Sequence, residues 1–234
     1  MRALQYTVGS PFARAIRILM DELELDCGRH EIHAAPSSND SDTSPTMQVP
    51  TLWDGDLVLW DSGLIAEYLL TTYHRRPAAA PPLAANVWRP SFAWRDKLVS
   101  SSVQTLVASI TTISQLTWTG VCVGGNAHLD RCAERLPSLL AWLEAQLPDD
   151  RSGFIPGTLA VQDVFFVSGI RFAEARPIGV EFAWSRYPRL KALTARLDQR
   201  PSFKANPIWW WDPKVIGYGP GGSPLYDDSG SGAN

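Results

Sequence analysis

The chain has 234 residues, of which 45% are hydrophobic and 19% charged, with a formal net charge of -3. That length and composition suit one large globular domain or two modest ones sharing an interface. The charge leaves no excess to neutralise phosphates, so nucleic acid is excluded as a partner, and no stretch reaches the roughly 18 uninterrupted apolar residues of a membrane span.

Residues 2 to 7 read as a first strand, and a Gly-Ser-Pro corner at residues 9 to 11 leads into a helical period carried by Phe12, Ile16, Ile18, Leu19 and Leu23. Residues 29 to 33 alternate weakly and suit a second strand, followed by a polar loop from 34 to 48. Thr51 to Trp53 and Leu57 to Trp60 flank Asp54-Gly55, a strong hairpin signal. Asp61-Ser62 then stands where a helix N-cap belongs, ahead of Leu64, Ile65, Tyr68 and Leu69. The order is strand, helix, strand, loop, hairpin, helix.

Residues 74 to 90 are rich in Pro and Ala and mark a boundary near residue 80. Beyond it, long helical stretches are predicted at 91–117, 129–146, 161–175 and 188–200, with no strands. From Ile208 onward the aromatic, Gly- and Pro-rich tail has neither a helical nor a strand period and should wrap over other elements. Cys27, Cys122 and Cys132 show no metal-binding spacing and are expected to be buried, reduced thiols. The opening residues lack the apolar core of a secretory signal, so a cytoplasmic location is expected.

Three features of the N-terminal half carry chemistry. Ser10 sits at the mouth of the first helix, where unpaired N–H groups and the helix dipole favour an anion. Val49-Pro50 opens the third strand with an extended residue whose backbone can pair with something else. Asp61-Ser62 offers a carboxylate for an ammonium group and a hydroxyl with N–H groups for a carboxylate. A ligand with a thiol, a peptide backbone and an α-amino acid end would satisfy all three. Each also has a plainer reading, in which Ser10 and Asp61-Ser62 simply cap their helices. Tyr6 is a rival to Ser10, and Arg14 is read as a solvated helix residue in preference to one that supports the site by a salt bridge.

SPFAR at 10–14, SPTMQVPTL at 44–52, DSGLIAEYL at 61–69, GTLAVQD at 157–163 and the run from YPRL to RPSF at 187–203 occur in an order and spacing that resembles the glutathione transferase superfamily, in particular its serine-type, bacterial or fungal-like cytosolic members. The resemblance covers nearly the whole chain. It implies an α/β thioredoxin-like N-terminal domain that binds glutathione (1–78), a linker (79–90), an all-α helical domain (91–208) and a C-terminal tail (209–234). It further implies that Pro50 is a cis proline, that Val49 pairs with the cysteinyl part of glutathione, that Asp61 and Ser62 hold its γ-glutamyl end and that Gln48 contacts its glycyl side. Ser10 would activate the thiol, and because serine cannot form a mixed disulfide, conjugation or glutathione-dependent displacement, as in ether cleavage or dehalogenation, is favoured over redox exchange.

The co-substrate is expected to be apolar and aromatic, in a pocket drawing on Trp88, Trp94, Trp118 and Trp209 to Trp211. A homodimer is expected from the resemblance. The alternative is a non-catalytic binder of glutathione or an apolar ligand on the same fold. The chain departs from the family pattern at Ala160, where Ser or Thr usually caps the helix before Asp163. Asp163 is expected to reach back to the cap N–H instead, or Thr158 to move the cap earlier.

Overall fold

The first strand, β1 (Arg2–Tyr6), buries Leu4 and Tyr6 on one face and leads into α1 (Pro11–Glu22). The computed structural model describes residues 1–32, 44–75, 81–149, 152–176 and 178–208, together with the backbone of Val215–Tyr218 and Pro224–Tyr226. Helix α1 returns the chain to β2 (Gly28–Glu31), which pairs parallel to β1 as an exposed edge. A hairpin of β3 (Thr51–Asp54) and β4 (Leu57–Trp60) adds to the other side of β1, giving a sheet of order β2-β1-β3-β4. Pairing of Asp54 with Leu57 leaves Gly55 and Asp56 as the hairpin loop, one residue later than the Asp-Gly pair suggested. The unit closes with α2 (Ser62–Tyr73) packed on α1. This is the thioredoxin-like arrangement expected.

The remainder is mostly helical: α3 (Ala93–Trp118), α4 (Ala127–Gln146), α5 (Val161–Glu174), α6 (Pro188–Leu197) and α7 (Pro201–Ala205). Nearly every residue of α5 is buried, because α1, α3 and α6 pack around it. Helix α1 is therefore held between the sheet and the second domain, and Ile16, Ile18, Leu19 and Met20 are all fully buried although they point in different directions. The stretch Pro81–Arg89 is docked rather than loose: Leu83 bridges to Leu159 and is buried.

Several expectations need correction. The predicted helix at 188–200 ends at Leu197, because Pro201 biases the residue before it away from helical geometry and starts α7. The tail does contain strands, β5 (Val215–Tyr218) and β6 (Pro224–Tyr226), paired antiparallel. Of the three cysteines, all free, only Cys132 is buried, whereas Cys27 is half-buried and Cys122 exposed. At the start of α5, Ala160 has no side-chain acceptor and Asp163 accepts the Ala160 N–H at 2.7 Å, as expected. Thr158 does not move the cap; its hydroxyl donates to the Ile155 carbonyl.

Candidate functional site

Strand direction brings the three features to one end of the sheet. Thr51, the first residue of β3, pairs with Gln5 on one side and with Trp60, the last residue of β4, on the other. One step further along both ladders, Pro50 lies level with Tyr6 and Asp61. The exit of β1 toward Ser10, the entry to β3 through Val49-Pro50, and the start of α2 at Asp61-Ser62 therefore share an edge, toward which the N-termini of α1 and α2 both open.

Ser10 is the N-cap of α1. Its backbone is extended (φ -84°, ψ 123°), Pro11 occupies the first helical position, and the Ser10 Oγ accepts the Ala13 N–H at 3.2 Å. The side chain is only half-buried, behind a buried Thr7-Val8-Gly9 corner. Capping uses an oxygen lone pair and leaves the hydroxyl proton available to a further acceptor. An accepted N–H also polarises the O–H, so the capped serine is the better donor.

The Val49-Pro50 peptide is cis, as the resemblance implied. Val49 is half-buried and lies beyond the last ladder pair, with its backbone outside the strand pairing. Gln48 is exposed beside it, preceded by Met47 at a φ of 50°. Asp61 caps α2, accepting the Leu64 N–H at 2.9 Å. Its φ of 72° is costly for a residue with a Cβ. The carboxylate is exposed, whereas Ser62 behind it is buried. Glycine at 61 would relieve the backbone but lose that carboxylate.

Other residues fall elsewhere. Tyr6 is buried, with the Arg17 guanidinium 4.8 Å from its ring centroid. Arg14 is not solvated: it is 4% exposed, and it donates through Nε to the Asn206 carbonyl at 2.6 Å and through Nη2 to that of Phe203 at 3.4 Å. Burial pulls the pKa of both Arg14 and Arg17 down to about 10. Trp94 and Trp118 stand at opposite ends of α3, about 36 Å apart at 1.5 Å per residue, so they cannot line one pocket. Trp94 is 84% exposed, and Lys97 lies over both it and Trp88. Trp209 to Trp211 lie outside the described residues. A cavity of about 620 Å³ between Glu24, Arg196 and Ala205 opens at the far end of α1 and is not this site.

Sequence reasoning missed Arg176. Its Nη2 donates to the Gly9 carbonyl at 3.4 Å, next to Ser10, across 167 positions of sequence. No local signal marks such a pair. Among the described residues no cluster of side chains suits a metal ion, and no helix is long and apolar enough to cross a membrane.

A thioredoxin-like domain with a Ser-capped first helix and a cis-proline edge, joined through α1 to a mostly helical remainder, is the architecture of the glutathione transferases. Residues 4–77 match the family model for the glutathione S-transferase N-terminal domain. The chain is similar in structure to a glutathione transferase family member from Pseudomonas fluorescens solved with bound glutathione, at a TM-score of 0.74 and 19% identity over 88% of this chain and 98% of that one. It is similar also to a glutathione S-transferase from Methylobacterium radiotolerans in complex with glutathione sulfonate (TM-score 0.72, 18% identity, 89% and 96% covered). A theta class enzyme from Xanthomonas axonopodis pv. citri with glutathione bound gives a TM-score of 0.63 at 24% identity, with 90% and 99% covered. No curated protein sequence matches the chain. The first domain is thus a glutathione S-transferase N-terminal domain, and over 88–89% of its length the chain has the glutathione transferase fold.

Proposed function

We propose that this protein is a glutathione transferase in which Ser10 donates its hydroxyl to the glutathione sulfur and holds it as a thiolate for attack on an apolar, aromatic electrophile. The observation that carries the reading is the Ser10 cap: Oγ accepts from Ala13 at 3.2 Å and keeps its proton, at the mouth of a helix on the cis-proline edge. A free thiol has a pKa near 8.5, and lowering it by about two units takes about 2.7 kcal/mol. A hydrogen bond to a charged group supplies about 1.5 to 3 kcal/mol and a helix end about 0.3 to 1, so the two together suffice.

In this reading Val49 offers its backbone to the cysteinyl part, Asp61 and Ser62 receive the γ-glutamyl end, and Gln48 meets the glycyl side. Support comes from the shared edge and from the glutathione found in the Pseudomonas and Xanthomonas structures. Tyr6 is the weaker candidate for activation, because it is buried beneath Arg17. We further read the protein as cytoplasmic and homodimeric. Exposed Leu57, Trp60 and Leu64 around β4 and α2, with Phe92, Trp94 and Leu98 at the start of α3, supply apolar surface for a second copy. Conjugation and ether cleavage both begin with the same thiolate attack.

The second reading, a non-catalytic binder, is favoured by one observation: the Ser10 oxygen already has a structural partner in Ala13. Ultraviolet titration of glutathione bound to wild type and to Ser10→Ala separates the two. An enzyme loses thiolate at neutral pH on Ser10→Ala while largely keeping affinity. A thiol whose ionisation is the same in both proteins sinks the transferase reading and leaves the binder.

A further inference from the structure

The Gly9-Ser10 peptide, at the corner between β1 and α1, is held on both sides. The Ser10 N–H donates back to the Thr7 carbonyl at 3.3 Å, and the Gly9 carbonyl accepts from Arg176 Nη2 at 3.4 Å. Arg176 follows the end of α5 and is 8% exposed. Its guanidinium lies 4.5 Å from the ring centroid of Phe172, one turn back. Its backbone is tied as well, its N–H donating to the Ala173 carbonyl at 3.2 Å and its carbonyl accepting from Ile178 at 2.9 Å. A cation fixed to the second domain therefore reaches into the corner of the first.

Two physical consequences meet at Ser10. The tilt of the Gly9-Ser10 peptide plane sets the direction of the Ser10 Cα–Cβ bond, and so where the capped hydroxyl points. A guanidinium hydrogen-bonded to the carbonyl of that peptide also polarises it and adds positive potential beside the α1 N-terminus, in surroundings from which water is largely excluded. Both effects act through the corner, where Arg176 places Nη2 on the Gly9 carbonyl while its guanidinium packs over Phe172.

We infer that Arg176 is a positioning residue for thiol activation: it locks the Gly9-Ser10 peptide so that Ser10 presents its hydroxyl to the glutathione sulfur, and it thereby couples the packing of α5 to the chemistry of the first domain. The inference rests on the reading of Ser10 given above.

The test uses the full-length chain as wild type, Arg176→Met, Arg176→Lys and Ser10→Ala, with glutathione as the probe. The ionisation of the bound thiol is followed by ultraviolet absorbance against pH, and the dissociation constant is measured alongside. Arg176→Met raises the bound thiol pKa by about half to one unit, with glutathione affinity within about threefold of wild type. Arg176→Lys raises it less, because the charge remains while the planar guanidinium that spans Gly9 and Phe172 is lost. Ser10→Ala raises it most. A shift in Ser10→Ala with none in Arg176→Met overturns the role of Arg176 and leaves the reading of Ser10 intact; an unchanged thiol in Ser10→Ala overturns both. Should Arg176→Met fail to fold, Arg176→Lys decides, and a thiol titrating there as in wild type overturns the inference.

Discussion

Arg200 holds both carboxylate oxygens of Glu22, through Nε at 2.9 Å and Nη2 at 2.6 Å, across 178 positions of sequence. Glu22 closes α1 in the first domain and Arg200 precedes α7 in the second, so this fork fastens the two domains at the end of α1 away from the cis-proline edge. The Ser202 hydroxyl donates to the same carboxylate, and Arg200 Nη1 donates to the Pro81 carbonyl at 3.2 Å. Both charged groups are nearly buried, with side-chain exposures of 10% for Arg200 and 5% for Glu22.

Removing one partner of such a pair leaves an uncompensated charge. Glu22→Ala is expected to lower unfolding stability by about 3 to 5 kcal/mol, and Glu22→Leu with Arg200→Met by considerably less. Equilibrium denaturation checks both. A loss below about 1 kcal/mol for Glu22→Ala would show that the fork contributes little.

Asp163 gives the fold a pH signature. Burial pushes its carboxyl up to about 7, although the N–H groups of Ala160 and Phe154 both favour the charged form. The folded state thus holds this proton more tightly than the unfolded chain. Its contribution is complete below the ordinary carboxylate range and is lost as pH rises through about 7. The stability of wild type minus that of Asp163→Asn should therefore fall with pH, by up to about 1.4 kcal/mol per unit, and level off above neutrality. A flat difference between pH 4 and 8 contradicts the assignment.

Helices α3 and α5 cross where Gly169 faces Val107. A Cβ built on Gly169 would stand 2.4 Å from Val107 Cγ2, far inside van der Waals contact. Gly169→Ala should cost about 1 to 3 kcal/mol despite alanine's better helix propensity. Val107→Ala in the same chain makes room for the new methyl. The double-mutant cycle should show favourable coupling of about 1 kcal/mol or more, and simple additivity would count against the close approach.

Asp61 allows cap and ligand roles to be told apart. Asparagine keeps a side-chain oxygen for the Leu64 N–H and tolerates a positive φ, so Asp61→Asn should change stability by less than about 0.5 kcal/mol. It removes the charge that the γ-glutamyl ammonium would meet, and retention on immobilised glutathione should drop about tenfold or more. Unchanged retention would leave Asp61 as a helix cap alone.

Much of the candidate site was legible because its parts are local. Ser10-Pro11 and Asp61-Ser62 announce helix starts through bonds that span three residues, and both caps form as their residue types require. Arg14 was misread for the opposite reason. Helical period alone gives α1 a polar side, and only the placement of α5, α7 and the segment at Asn206 on that side buries it. The tryptophans were grouped by composition, whereas the 26-residue length of α3 separates Trp94 from Trp118.

By itself the sequence determined the order of elements up to Tyr73, the hairpin and the helix starts at Ser10 and Asp61, because turns, caps and strand alternation involve neighbours a few positions apart, whereas the ladder from Gln5 to Thr51 was needed to bring Ser10, Pro50 and Asp61 to one edge. Only the tertiary structure decided that Arg176 meets Gly9, that Arg200 grips Glu22 and that α1 is buried on every side. Those partners lie more than 160 positions apart, and what joins them is the packing of two domains, a property of the whole chain that no window of it contains.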